Sequence, residues 1–222
     1  MRQRKPNPFL IAFVKLTGWL PALLFFKPKL YYMEGAPRRL PKPCILMSNH
    51  TSLMDFVLYL LVFWYRSIRF LMAEVLFRKG RLFSWFLFAL GGIFVNRDAR
   101  DFSFVGNCLE SLDAGGTLGI FPQGRLPVGG KPFPFAPSTA YIALHTDAPI
   151  IPVYTDGCYG LFRRAHVMVG APIDLKALFP GAEADAEGLR AMTEYLEERT
   201  RELKRALVDR IGRTESEAKP SV

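Results

Sequence analysis

A single α/β domain is the fold class that this sequence predicts, on three observations. Short apolar runs of strand length alternate with helix-length patterns through the middle of the chain. Gly and Pro punctuate the joints between them. The chain has 222 residues, half of them hydrophobic, which is one domain's worth and enough to bury a full core without disulfide staples. An aromatic content of 14% excludes a disordered or collagen-like chain, and no internal repeat is visible.

The first element is the apolar stretch Pro8–Phe26, preceded by Arg2, Arg4 and Lys5. It resembles the front of a signal peptide but is followed by no small-residue cleavage site, so it is read as retained. About 20 apolar residues are needed to span a bilayer, and this run contains Lys15 and Pro21. Positive charge also flanks it on both sides, with Lys27, Lys29, Arg38 and Arg39 behind it, which places both ends on the cytoplasmic face. A re-entrant or interfacial helical pair is the expectation, against the alternative of a buried helix in a soluble domain. Segment 1–28 is therefore set apart as a membrane-associated helical segment.

Strands are expected at Leu30–Met33, Cys44–Met47, Ile68–Met72, Ile93–Val95, Thr117–Phe121, Ile150–Tyr154 and His166–Val169. Helices are expected near Phe56–Trp64, Leu82–Leu90, Phe102–Leu112 and Pro137–Thr146. The last helix, about Asp185–Ile211, carries Leu189, Met192, Leu196, Leu203 and Leu207 on one face, which makes it a packing helix with charged residues on its solvated side. The domain proper is read as 29–212, and the polar tail 213–222 as disordered.

Charge and cysteine usage narrow the partners. Residues 1–40 hold eight Lys and Arg against one acid, so the net +9 is concentrated at the front, beside apolar sequence. That pairing suits an anionic lipid surface. No recognition-helix or RNP-type pattern accompanies it, and nucleic acid is discounted as a partner. Cys44, Cys108 and Cys158 are an odd number with no C-x-x-C spacing, which indicates neither a metal site nor a disulfide framework.

The chemistry starts at the polar cluster Ser48–Asp55, which interrupts two apolar segments at a strand-to-helix junction. Asn49, Thr51 and Ser52 are all good helix N-caps, but capping does not explain His50 with Asp55. Residues five apart on a helix point about 140° away from each other, so the two pair only if His50 precedes the helix and Asp55 lies on its first turn. A carboxylate so placed orients the imidazole and supports its protonated form, which makes His50 a general base. No G-x-S-x-G or similar motif supplies a nucleophile, which leaves a hydroxyl brought by the substrate. His-x4-Asp by itself is weak in a chain with three His and nine Asp.

Context adds three more blocks in order. Asn49, His50 and Asp55 match N-H-x4-D, Gly92–Asp98 holds Arg97 after a strand, Phe121-Pro122-Gln123-Gly124-Arg125 is similar to F-P-E-G-T-R, and Ala148–Val153 forms the fourth. Over residues 30–170 the chain resembles the lysophospholipid acyltransferase family, the PlsC-type glycerolipid acyltransferases. The resemblance implies a mixed-sheet α/β domain and an O-acyltransferase of the membrane's cytoplasmic face. It implies acyl-CoA or acyl-ACP as co-substrate, no metal or other cofactor, and a lysophospholipid acceptor, foremost 1-acyl-sn-glycerol 3-phosphate.

By the same resemblance His50 and Asp55 are catalytic, and Arg97 and Arg125 hold the acceptor phosphate. Gln123 and Gly124 position substrate or meet the oxyanion. Two departures stand out: the family's glutamate is Gln123 here, and T-R is reduced to a single Arg125 one position earlier. The segment Lys131–Pro137 also departs from the family's usual continuation, and its three prolines stiffen it as an extended loop. The departures open alternatives: a different alcohol or amine acceptor, or a lipid-binding homologue without turnover. A soluble thioester hydrolase is a further one. His145 and His166 fall outside the blocks and are read as structural.

Overall fold

The computed structural model describes residues 6–78, 80–95 and 103–217. Helix α1 (Pro8–Phe26) leads into strand β1 (Lys29–Tyr32) and, after a loop, β2 (Cys44–Ser48). Then follow α2 (Asp55–Val62), β3 (Ile68–Ala73), α3 (Glu74–Phe77), α4 (Arg81–Ala89), β4 (Ile93–Val95), α5 (Ser103–Asp113) and β5 (Thr117–Ile120). The chain closes with α6 (Ser138–Leu144), β6 (Ile150–Thr155), β7 (His166–Val169), α7 (Leu175–Leu178) and α8 (Ala186–Glu217).

The seven strands form one sheet in the order β1-β7-β6-β2-β5-β3-β4. Every pairing is parallel except β6 with β7, which makes the sheet mixed, as expected. The central strand β2 is buried along its whole length and alternates between two cores. Leu46 packs on one face with Leu58, Tyr59, Phe70 and Phe26, whereas Ile45 and Met47 pack on the other with Cys108, Ile142, Met192 and Leu196. Burial on both faces is why parallel strands read as unbroken apolar runs.

The expected helical pair at the N-terminus is instead one continuous helix. Asn7 caps it by accepting from the Leu10 amide at 3.1 Å, Pro8 occupies its first turn, and Pro21 lies inside it. The N–H missing at Pro21 removes one backbone hydrogen bond, while packing continues beyond it, with Phe26 in the core and Ala22 and Phe25 against it. Lys15 is accounted for as well, since its ammonium donates to the Trp64 carbonyl at 2.9 Å and to that of Arg66, just past α2.

The final helix also differs from expectation, running to Glu217 and so through residues 213–217 of the tail read as disordered. Propagating a formed helix costs little per residue, and the next proline is Pro220. Short α3 and α7 have no periodicity long enough to announce them.

Candidate active site

The polar cluster lies where open α/β sheets collect ligands, at the carboxyl ends of neighbouring parallel strands. Strand β2 ends at Ser48, with β5 and β6 on either side of it, so residues 49–55, 121–125 and 155 onward converge there. His50 precedes α2 and Asp55 is its first residue, which is the arrangement that their spacing requires.

His50 Nδ1 lies 2.7 Å from Asp55 Oδ2. The carboxylate only accepts, so Nδ1 carries the proton and the Nε2 lone pair is the free basic site of the neutral ring. The ring is stacked on Phe121 at 4.3 Å between centroids and 14° between planes, which limits its rotation.

Asp55 is fully buried and accepts from five donors. Oδ2 takes His50 Nδ1 and the amides of Thr51 (2.6 Å) and Ser52 (2.9 Å); Oδ1 takes the hydroxyls of Thr51 (2.7 Å) and Tyr159 (2.5 Å). Burial pushes the carboxyl up, but the hydrogen bonds from His50, Ser52, Tyr159 and Thr51 outweigh it and hold Asp55 below the ordinary carboxylate range. It is therefore ionised at neutral pH.

Asn49 is not the helix cap that its residue type suggested. Its amide bridges to β6, donating from Nδ2 to the Thr155 carbonyl and accepting at Oδ1 from the Thr155 amide, both at 2.9 Å. The carboxyl end of a strand beside β2 is where a partner belongs, and that was the signal for Thr155; Asn49 needed the pairing itself.

Gln123 Oε1 accepts from the His50 amide at 2.8 Å. A glutamate would accept equally well, so the substitution keeps the bond that holds His50 and changes the rest of the group. With Oε1 engaged, the Gln123 NH2 is a donor where the family's carboxylate has none. Gly124 differs from expectation, because its amide donates to the Phe121 carbonyl at 2.9 Å and closes the turn at φ +62°. It shapes the turn and its N–H is not free to meet an oxyanion.

These groups line a cavity of about 650 Å3 with Asn49, His50, Thr51 and Gln123 along one wall. The proline-stiffened loop supplies another through Pro132, Phe133, Pro134 and Phe135. The loop is fixed by the Ala136 amide on the Pro122 carbonyl at 2.9 Å and by the Phe135 amide on Glu197 Oε1 at 2.7 Å. Helix α8 forms a wall that sequence reasoning missed, with Glu197, Thr200, Arg201 and Lys204 facing the cleft. Arg125 is exposed beside it, its guanidinium 6.0 Å from the Phe133 ring centre. Arg97 lies outside the described residues.

A second His–Asp pair tests the assignment. His166 Nδ1 is 2.6 Å from Asp156 Oδ2, but neither residue lines the cleft, and Asp156 also accepts from the amides of Cys158 and His166. That pair secures the β6–β7 connection. His145 is tied to its own helix through the Tyr141 carbonyl.

A family model described as Acyltransferase matches residues 31–156. A chloroplastic 1-acyl-sn-glycerol-3-phosphate acyltransferase of Brassica napus is 27% identical over 141 residues, covering 63% of this chain and 40% of that protein. The beta 1-acyl-sn-glycerol-3-phosphate acyltransferase of Homo sapiens is 27% identical over 150 residues, covering 63% of this chain and 51% of that protein. The chain thus spans about half the length of these curated relatives or less. The crystal structure of the 1-acyl-sn-glycerophosphate acyltransferase PlsC of Thermotoga maritima superposes with a TM-score of 0.58 at 24% identity, covering 96% of this chain and 80% of that one. At that identity the likeness speaks for the fold.

Proposed function

The chain belongs to the acyltransferase family, and from that premise we propose that it moves a fatty acyl chain from an acyl-CoA or acyl-ACP thioester to the hydroxyl of a lysophospholipid, foremost 1-acyl-sn-glycerol 3-phosphate. The observation that carries this reading is the His50–Asp55 pair of 2.7 Å on the wall of a cleft of about 650 Å3, which is within the usual range for a small-molecule site.

His50 Nε2 takes the proton of the acceptor hydroxyl as its oxygen attacks the thioester carbonyl. The new C–O bond leaves a tetrahedral oxyanion, and the imidazolium formed is balanced by ionised Asp55. Collapse breaks the C–S bond, and the departing thiolate recovers the proton from His50. Gln123 lines the same cleft, and its NH2 group is the candidate oxyanion donor that replaces Gly124. Arg125 at the rim, with Arg97, is assigned to the acceptor phosphate, for which a guanidinium fork is suited.

Membrane association is part of the proposal. Helix α1 is 19 residues long with a mean hydropathy of 1.9, and only 6% of its most apolar window is buried. The cations that flank it favour the cytoplasmic face. The change to Gln123 and Arg125 supports a second reading, in which the same chemistry serves another lipid acceptor.

The test is incubation of detergent-solubilised wild type and His50→Ala with labelled acyl-CoA and acyl-ACP, with and without lysophosphatidate, followed by separation of the lipid products. Phosphatidate from wild type alone is the expected result. Acylation of a different lipid in an acceptor panel selects the second reading, and unchanged transfer by folded His50→Ala removes the mechanism.

A further inference from the structure

Asp55 holds His50, and what holds Asp55 is not confined to its own loop. Four of its five donors come from residues 50–52, three to five residues from it in the chain, and shift wherever that loop shifts. The fifth is the Tyr159 hydroxyl, 104 positions away, at 2.5 Å from Oδ1. Among the described residues it is the donor that fixes the carboxylate relative to the rest of the fold.

Tyr159 is itself anchored. It lies in the connection between β6 and β7, which is pressed against the His50 loop. Gly157 there has a φ of +70°, and a Cβ on it would stand 2.8 Å from Thr51 Oγ1. Only glycine accepts both that conformation and that approach. Beyond it the connection is sewn to the end of α1, where the Gly160 amide donates to the Phe25 carbonyl at 3.2 Å and the Ala165 amide to the Phe26 carbonyl at 2.8 Å. The Tyr159 ring meets fully buried Phe26, the last residue of α1, edge to face at 5.1 Å and 82°.

We propose that Tyr159 is a positioning residue for acyl transfer, fixing Asp55 through its hydroxyl and the end of the apolar helix α1 through its ring. The dyad's alignment then depends on the docking of α1. The inference rests on the assignment of His50 as the base. Burial, and after it the Asp55 charge, push the Tyr159 phenol up, so it remains a protonated donor wherever the enzyme works. The ionisable groups facing Asp55 are His50, Tyr159 and Tyr59, and burial keeps Tyr59 neutral too.

Tyr159→Phe keeps the ring and deletes the donor. With less of its charge drawn off, Asp55 favours the imidazolium more, so the acid limb of kcat/KM moves to higher pH, by about half a unit. kcat falls about three- to tenfold while the acceptor KM stays within about twofold. Proton NMR of the full chain in micelles reads the same change without substrate, as a downfield move of the low-field His50 Nδ1–H signal. Phe26→Leu loosens the ring contact while keeping the hydroxyl, and moves both readouts the same way by less. An Nδ1–H signal and pH limb that stay put in folded Tyr159→Phe overturn the proposal. If wild type acylates no lipid, the functional reading fails, and the NMR arm still decides whether Tyr159 governs the pair.

Discussion

Asn49 and Thr155 lie 106 positions apart and exchange two hydrogen bonds of 2.9 Å, so that one side-chain amide mimics a rung of sheet between the His50 loop and the end of β6. Both residues are buried, Thr155 completely. In Asn49→Ala the Thr155 N–H and C=O lose their partners out of reach of water, at about 1–3 kcal/mol per group. Asn49→Ala is therefore expected to lose about 3 kcal/mol in denaturant unfolding and to lose activity with it. A midpoint unchanged from wild type would show that the clamp contributes nothing.

Asp55 gives a pH dependence with a definite sign. Its carboxyl is held below the ordinary carboxylate value in the folded chain. The stability it contributes is therefore fully present above about pH 4, the unfolded value, and is lost as pH falls through the lower folded one. Wild type should lose stability below about pH 4, and Asp55→Asn should lose less over the same interval. At neutral pH the variant's acyl transfer should fall about a hundredfold or more, because a neutral amide does not support the imidazolium. Equal acid sensitivity in the two proteins would count against an ionised Asp55.

Gln123 separates two effects that a single substitution confuses. Gln123→Glu preserves an acceptor for the His50 amide and adds a negative charge to the cleft wall. It should unfold within about 0.5 kcal/mol of wild type, lower kcat through loss of the NH2 donor, and raise KM for an anionic acceptor several-fold. Gln123→Leu strands the amide, and kcat should fall about tenfold or more as His50 drifts. Steady-state kinetics with one phosphorylated and one neutral acceptor reads both, and equal effects of Glu and Leu would refute the division.

The contrast between Asp55 and Asn49 explains how much of this site was legible. His50 and Asp55 are five apart, and helical geometry alone dictates that one precede the helix that the other begins. Asn49 has its partner across the sheet, and its residue type serves equally well as a cap, so the local pattern pointed to the commoner use. Strands such as Cys44–Ser48 were legible because burial on both faces writes a continuous apolar run. The cleft wall on α8 was not, since the residues that face it repeat like any solvated stripe. At Pro21 the local rule for helix breaking was outweighed by packing on both sides of the proline.

That wall supplies a cation. Arg201 is engaged by Glu198 at 2.5 Å and Glu197 at 3.0 Å, whereas Lys204 makes no ion pair among the described residues. A lone ammonium in the cleft attracts a phosphate on either of the proposed substrates, with long-range sensitivity to salt. Lys204→Ala should raise KM for the anionic substrate about three- to tenfold and leave kcat within about twofold. Added salt should raise the wild-type KM toward that of the variant. A KM independent of Lys204 places the phosphate elsewhere on the rim.

The outer face of α1 gives the last test. Phe9, Phe13, Leu16, Leu20 and Leu24 are all exposed, and their spacing of four, three, four and four residues puts them on one stripe. Because Lys15 and Phe26 are already held by the domain, this stripe is free for lipid, where each buried large apolar side chain contributes about 1.5–3 kcal/mol. Phe13→Asp with Leu16→Asp should lower binding to anionic vesicles at least about tenfold in co-sedimentation, while thermal unfolding of the detergent-free domain shifts little. Reduced binding with acyl transfer retained on detergent-dispersed acceptor separates docking from chemistry. Undiminished binding would move the membrane contact to another apolar surface, such as the exposed Leu82, Phe83 and Trp85 of α4.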